Sequence, residues 1–137
     1  MEGTQIPYKM LSLDAFSQWL GIEIIECEMG RCKVGMTIRP EMHNSMGKAH
    51  GGIAYSLADT ALGFAVNTNG RFAVSIETSI NHIEALEAGD CITAEATLES
   101  LKNKIGFYIV EIKKENTLVA LFKGVAYRTG KKWEESN

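Results

Sequence analysis

Residues 50–67 read His50-Gly-Gly-Ile-Ala-Tyr-Ser-Leu-Ala-Asp-Thr-Ala-Leu-Gly-Phe-Ala-Val-Asn67. From Ile53 onward the apolar residues, among them Leu57, Ala58, Ala61, Leu62, Phe64, Ala65 and Val66, fall on almost every face of a helical period. A helix that is apolar all round is buried all round. The stretch Ile53–Asn67 therefore predicts a central helix about which the rest of the chain must pack. Asp59 sits in its middle. Buried unpaired carboxylates are costly and rare. Asp59 is thus either structural, satisfied by hydrogen bonds or a nearby cation, or a base or nucleophile whose surroundings set its pKa.

Just upstream, residues 39–52 are irregular and rich in turn formers, and they end in His50-Gly51-Gly52 at the helix entrance. Glycine lets a ligand approach the backbone closely. The first-turn amides of a helix lack internal partners and carry partial positive charge. Such a turn is either a tight entry to the helix or a hole for an anion or a developing oxyanion. Asp59 follows Gly51 by eight residues, which is about 12 Å along one helix. A base must come within about 3 Å of the reacting atoms, or act through one water. One helix cannot offer both groups to one carbonyl. Two antiparallel copies can, so a catalytic pairing of Asp59 with the His-Gly-Gly turn requires at least a dimer.

The flanks read as strands. Residues 22–28 and 32–38 form two runs around Met29-Gly30-Arg31, with Cys32, Val34, Met36 and Ile38 alternating; Gly30 suits a hairpin turn. Beyond the helix, residues 72–83, 91–101, 105–113 and 117–128 alternate or carry β-rich apolar residues. The links at Ala88-Gly89-Asp90 and Lys102-Asn103-Lys104 are short, which favours antiparallel neighbours. Residues 13–20 place Leu13, Phe16 and Leu20 at helical spacing beside Trp19 and predict a short amphipathic helix stopped by Gly21. Residues 130–137 are polar and predict a frayed tail. The expected architecture is α+β: one domain over 1–137 with its core at about 13–129, a curved antiparallel sheet wrapped around one buried helix.

Composition narrows the function classes. The chain has 137 residues, 45% apolar and 23% charged, with a formal net charge of −3. Its cations are scattered, which argues against nucleic acid, where several must cluster. No apolar run approaches the length of a membrane span, and Met1–Leu13 lacks the pattern of a secretory signal. Three cysteines, Cys27, Cys32 and Cys91, point to a reducing compartment such as the cytoplasm. His43 and His50 are poorly spaced for a metal, and neither His43 nor His82 matches a catalytic role. No metal site is expected.

The stretch Asn44–Asp59, with Asn44, Gly47, His50-Gly51-Gly52 and Leu57-Ala58-Asp59-Thr60, resembles the signature of the PaaI-like (phenylacetic-acid-degradation-type) hotdog thioesterases, and Val74-Ser75-Ile76-Glu77 is similar to the strand that follows it there. The resemblance implies hotdog dimers, often paired into tetramers, that hydrolyse acyl-CoA thioesters without metal or organic cofactor. It implies that Asp59 activates water or attacks the carbonyl, that the Gly51 amide polarises the thioester oxygen, that Asn44 helps to bind that oxygen or orient the site, that His50 supports the turn, and that Ser75 positions the water. Met46, Tyr55, Leu62 and Phe64 are candidates for the acyl pocket, and Gly52 is a candidate for substrate binding. Lys102 and Lys104, with Arg128, Lys131 and Lys132, are candidates for the CoA phosphates. A hotdog hydratase or dehydratase and a non-catalytic acyl-CoA-binding protein are the rival readings.

Overall fold

In the computed structural model, which describes residues 1–133, the chain runs α1 (Ile6–Leu13), α2 (Ala15–Leu20), β1 (Glu23–Glu28), β2 (Arg31–Thr37), α3 (Gly51–Asn67), β3 (Arg71–His82), β4 (Cys91–Lys102), β5 (Ile105–Lys114) and β6 (Thr117–Lys132). The strands form one sheet in the order β1-β2-β4-β5-β6-β3, and every neighbouring pair is antiparallel. The helix α3 packs across β2, β3, β4, β5 and β6. This is the hotdog arrangement that the sequence predicts.

Side-chain alternation builds the face beneath the helix. Cys32 and Val34 on β2, Ile92, Ala94 and Ala96 on β4, Val110 and Ile112 on β5, and Ala120, Phe122 and Ala126 on β6 are all buried there. From α3 they meet Leu57, Ala58, Ala61, Leu62 and Ala65. Each fully buried Leu or Phe contributes about 1.5–3 kcal/mol. Gly124 makes room for the helix: a Cβ there would stand 2.5 Å from Leu62 Cδ2.

Burial of α3 is not all round. Ile53, Tyr55, Ser56, Asp59, Thr60 and Gly63 are only partly covered, so a polar stripe of the helix faces outward. Along one side of it lies β3, at the edge of the sheet. A register shift between Ser75 and Glu77 makes Ile76 an extra residue against β6. One extra residue reverses which side chains face inward. Thr78 and Ile80 are half-buried on one side of the bulge, and Ala73 is buried on the other. Ser75 is thereby turned toward the helix.

Two expectations need correction. The short helix expected over residues 13–20 is α2, ended by Gly21 at φ 80°, but a second helix, α1, precedes it and Phe16 does not face the core. Asp14 breaks the run and caps α2, its side chain accepting from the Ser17 amide at 3.0 Å and from Ser17 Oγ at 2.6 Å. The restart shifts the helical phase. Ile6, Ser17 and Leu20 point inward, while Leu13, Phe16 and Trp19 are exposed. At the other end, β6 continues through Gly130 to Lys132 and Trp133 is buried. Its ring stacks on Phe72 with centroids 4.0 Å apart. The core thus extends past 13–129 at both ends, and of the expected tail only 134–137 lies outside the described residues.

Asn67, at the end of α3, anchors this corner. It donates to Gly63 O at 2.7 Å and Ala73 O at 3.0 Å, and accepts from Ala73 N at 3.0 Å and Trp133 Nε1 at 2.8 Å. Asn67→Ala orphans these buried groups and is expected to lower unfolding stability by about 2–4 kcal/mol. Trp133→Phe keeps the stacking and loses one bond, so it costs about 1 kcal/mol. Urea midpoints of the two variants check the ranking.

Candidate active site

The loop entering α3 is tied to the β3–β4 connection at several points. His50 N donates to Met42 O at 2.8 Å, and Ala49 N to Leu86 O at 2.7 Å. The Ala88 amide donates to His43 Nε2 at 2.9 Å, and Lys48 pairs with Glu87 at 3.1 Å. His43 is therefore a loop-holding residue. Asn44 organises the tip: its Oδ1 accepts from the Met46 amide at 2.9 Å and the Lys48 amide at 3.1 Å. Its Nδ2 is left as the group free to meet a ligand oxygen.

His50 is the N-cap of α3. Its Nδ1 accepts the Gly52 amide at 2.9 Å, which leaves the ring proton on Nε2. That bond consumes the Gly52 N–H, so Gly52 is removed from the set of ligand donors. The Gly51 amide points out of the first turn, where helix geometry offers no internal partner. It opens on a cavity of about 330 Å³ lined by Asn44, Met46, His50, His82 and Glu84 among others. His82 lies against it, its Nε2 3.3 Å from where a Gly51 Cβ would be.

His82 is the site residue that the sequence reading missed. Its pairing to Ala120 places it at the far end of β3. Three contacts then run in step along helix and strand: Gly51 beside His82, the Tyr55 hydroxyl bonded to Thr78 Oγ1, and Asp59 beside Ser75. Gly51, Tyr55 and Asp59 share one face because they are spaced by four. Only the strand register reveals that His82 shares it.

Asp59 occupies the open stripe of α3, half-buried. Ser75 Oγ donates to Asp59 Oδ1 at 3.4 Å. Within one chain Asp59 is outside the wall of the Gly51 cavity, as expected for groups about 12 Å apart on one helix. Of the acyl-pocket candidates, Met46 lines the cavity and is 80% exposed. Tyr55 is half-buried, its ring edge-on to Phe122 with centroids 5.4 Å apart. Leu62 and Phe64 are sealed in the core. Lys102 and Lys104 are exposed on the β4–β5 turn, at the end of β4 opposite the loop that borders the Gly51 cavity. Among the described residues no cluster of three or more metal-ligating side chains is present.

Comparisons with known proteins agree with this geometry. The sequence pattern described as the Thioesterase superfamily matches residues 46–121. The acyl-coenzyme A thioesterase PaaI of Escherichia coli is 37% identical over 92% of this chain and 91% of its own length. The structure of the E. coli PaaI protein from the phenylacetic acid degradation operon superposes with a TM-score of 0.92 at 36% identity, covering 96% of each chain. A thioesterase protein from Streptococcus pneumoniae solved with coenzyme A superposes with a TM-score of 0.83 at 26% identity, over 90% of this chain and 98% of the other.

Burial holds the Asp59 carboxyl above its ordinary pKa, and the Ser75 hydroxyl offsets part of that rise. The folded state then binds this proton more tightly than the unfolded chain. The stabilising contribution is complete below the ordinary aspartate value and is lost as pH rises through the raised one. Asp59→Asn removes this cost. The variant is expected to melt above the parent at neutral pH, with the gap closing on acidification; melting curves between about pH 3 and pH 8 test the sign.

Proposed function

This chain belongs to the thioesterase superfamily, and from that premise we propose that it hydrolyses acyl-CoA thioesters to the free acid and CoA, at sites built where two subunits meet. The observation that carries the reading is the pair formed by a desolvated carboxylate, Asp59, on the open stripe of α3 and an unspent amide, Gly51, at the head of the same helix. It is supported by the kinship with the E. coli acyl-coenzyme A thioesterase.

The thioester oxygen lies against the Gly51 N–H, with the Asn44 amide as a second donor and His82 beside them. Developing negative charge is held there by groups already oriented. Asp59 takes the proton of a water positioned with Ser75, and the hydroxide adds to the carbonyl carbon. The tetrahedral intermediate expels the CoA thiolate, which recovers a proton from Asp59 or solvent. Thiolates leave readily, so the site needs no strong acid, and the steps draw on side chains, backbone and water without a cofactor.

The two halves of the machinery come from different subunits. The free edge of β3 supports this, because it exposes Val74 and Ile76 at 55% and 58%, and long apolar edge strands are normally covered. Pairing β3 with the β3 of a second copy about a two-fold axis lays the α3 helices antiparallel, the head of one beside the middle of the other. A tetramer is a pair of such dimers. Lys102 and Lys104 remain the cations offered to the CoA phosphates. No helix of the described residues is long and apolar enough to cross a membrane, and the free thiols fit the cytoplasm.

Thiol release from a panel of aromatic and aliphatic acyl-CoAs tests the activity. Turnover of one class supports the reading. Binding without release, or hydration of an enoyl-CoA, would sink it. Asp59→Asn is expected to lose hydrolysis by at least about 10³-fold while remaining folded and dimeric.

Subunit mixing tests the shared site. Gly51→Pro deletes the amide donor, yet proline suits the first helical position, and His50 at φ −57°, ψ 139° is already in the conformation that precedes proline. Each variant alone is expected to be inactive. Equal mixing after unfolding and refolding should restore about a quarter of parental activity, because half of the dimers carry one intact site. No recovery would mean that each chain holds a whole site.

A further inference from the structure

Two thiols stand apart from the hydrolytic site. Cys27 on β1 and Cys32 on β2 are direct cross-strand partners in the hairpin register, and their Sγ atoms are 3.3 Å apart. Directly opposed residues on antiparallel strands have Cα atoms about 4.5–5.5 Å apart, within the roughly 4.4–6.8 Å that a disulfide spans. Bond formation therefore needs little more than rotation of two side chains. We infer that Cys27 and Cys32 form a thiol-oxidation site, closing reversibly to a disulfide across the β1–β2 hairpin when the protein meets a peroxide or a disulfide oxidant.

The two cysteines are unequal in the way such a step requires. Cys27 is half-buried and open to a small oxidant, while Cys32 is fully buried. The Cys27 thiol is shifted toward its thiolate by its hydrogen bond with Cys32, with the Arg31 guanidinium helping. Cys32 is held protonated by that same bond and by burial. The reactive form is the thiolate. Cys27 attacks one peroxide oxygen, the O–O bond breaks, and a sulfenic acid and hydroxide result. The Cys32 sulfur then attacks the Cys27 sulfur, the S–O bond breaks, and the departing hydroxide leaves as water with the Cys32 proton. Two thiols lose two electrons, and one peroxide becomes two waters.

Position in the fold separates this site from catalysis. Strand β1 is at the opposite edge of the sheet from β3. The hairpin turn is pinned to the far end of α3, where the Gly30 amide donates to Thr68 Oγ1 at 2.8 Å. That end is about 25 Å along the helix axis from Gly51. Oxidation is therefore expected to leave turnover within about two-fold of the reduced protein, the spread of a weak distant coupling. It should raise the melting midpoint, because the crosslink restricts the unfolded chain. Cys91 serves as the internal control. It is exposed, contacts Thr37 Oγ1 at 3.4 Å, and has no thiol partner among the described residues.

The experiment uses the full chain carrying Cys91→Ser, treated with hydrogen peroxide or with glutathione disulfide, then denatured and labelled with a thiol reagent. Loss of both thiols, with intact mass lower by two hydrogens, is the expected result. Arg31 lies between the cysteines, so trypsin should release them on separate peptides that travel together until dithiothreitol is added. Both thiols persisting, sulfinic acid at Cys27 with Cys32 still reduced, a stable glutathione adduct on Cys27, or links between chains would each overturn the inference. None of these readouts depends on thioesterase activity, so the inference and the functional reading fail separately.

Discussion

The contact of α3 with β3 sets what the rest of the molecule can do. Gly51, Tyr55 and Asp59 recur every four residues on one face of the helix, and His82, Thr78 and Ser75 meet them from the strand. The first of these pairs holds an amide with no partner inside the helix and the last a carboxylate, with a hydroxyl pair between. A helix rises about 1.5 Å per residue, so these two ends can never meet within one chain. That fixed separation is the reason the proposed site draws on two subunits, with the uncovered edge of β3 as the surface offered for their pairing.

The fold holds Asp59 at a cost. The sheet removes most of the water around the middle of α3 and supplies one long hydrogen bond from Ser75 in return. A carboxylate so placed is more basic than it would be in solution, which suits proton removal from water. The remainder of the core supplies what this position costs, with fully buried Leu57, Leu62, Phe64 and Phe122 among its largest members. At the helix head the arrangement is the reverse. His50 satisfies the Gly52 amide and leaves the Gly51 amide to the cavity, so a single cap bond decides which of two adjacent donors remains for a ligand.

Local rules failed where a polar residue reset them. Reading residues 13–20 placed a helix stopped by Gly21 but ignored Asp14, whose cap starts α2 there and turns Phe16 and Trp19 outward. Reading residues 130–137 as a frayed tail ignored Trp133, whose partners, Phe72 and Asn67, are more than sixty residues away in sequence. In both places composition gave the wrong sign because the deciding contact was a specific hydrogen bond, to which hydrophobic periodicity is blind.

The sequence by itself determined the central helix, the six strands and the hairpin around Gly30, because periods of about 3.6 and 2 are direct consequences of backbone geometry. It also singled out Asp59 and the His50-Gly51-Gly52 turn as candidates, because a carboxylate in an apolar helix and paired glycines at its head are local anomalies, while Asn44 entered through the family resemblance. Only the tertiary structure decided that His82 joins them, that Gly52 is spent, that Leu62 is plain core and that Ser75 faces Asp59. The places of Ser75 and His82 depend on the register of β3 against β6 and on the bulge at Ile76, whereas Gly52 is spent by the His50 cap and Leu62 is seated against Gly124 of β6. Register is fixed by contacts between distant segments, and one inserted residue reverses a strand's faces, so no local pattern in the chain could have announced it.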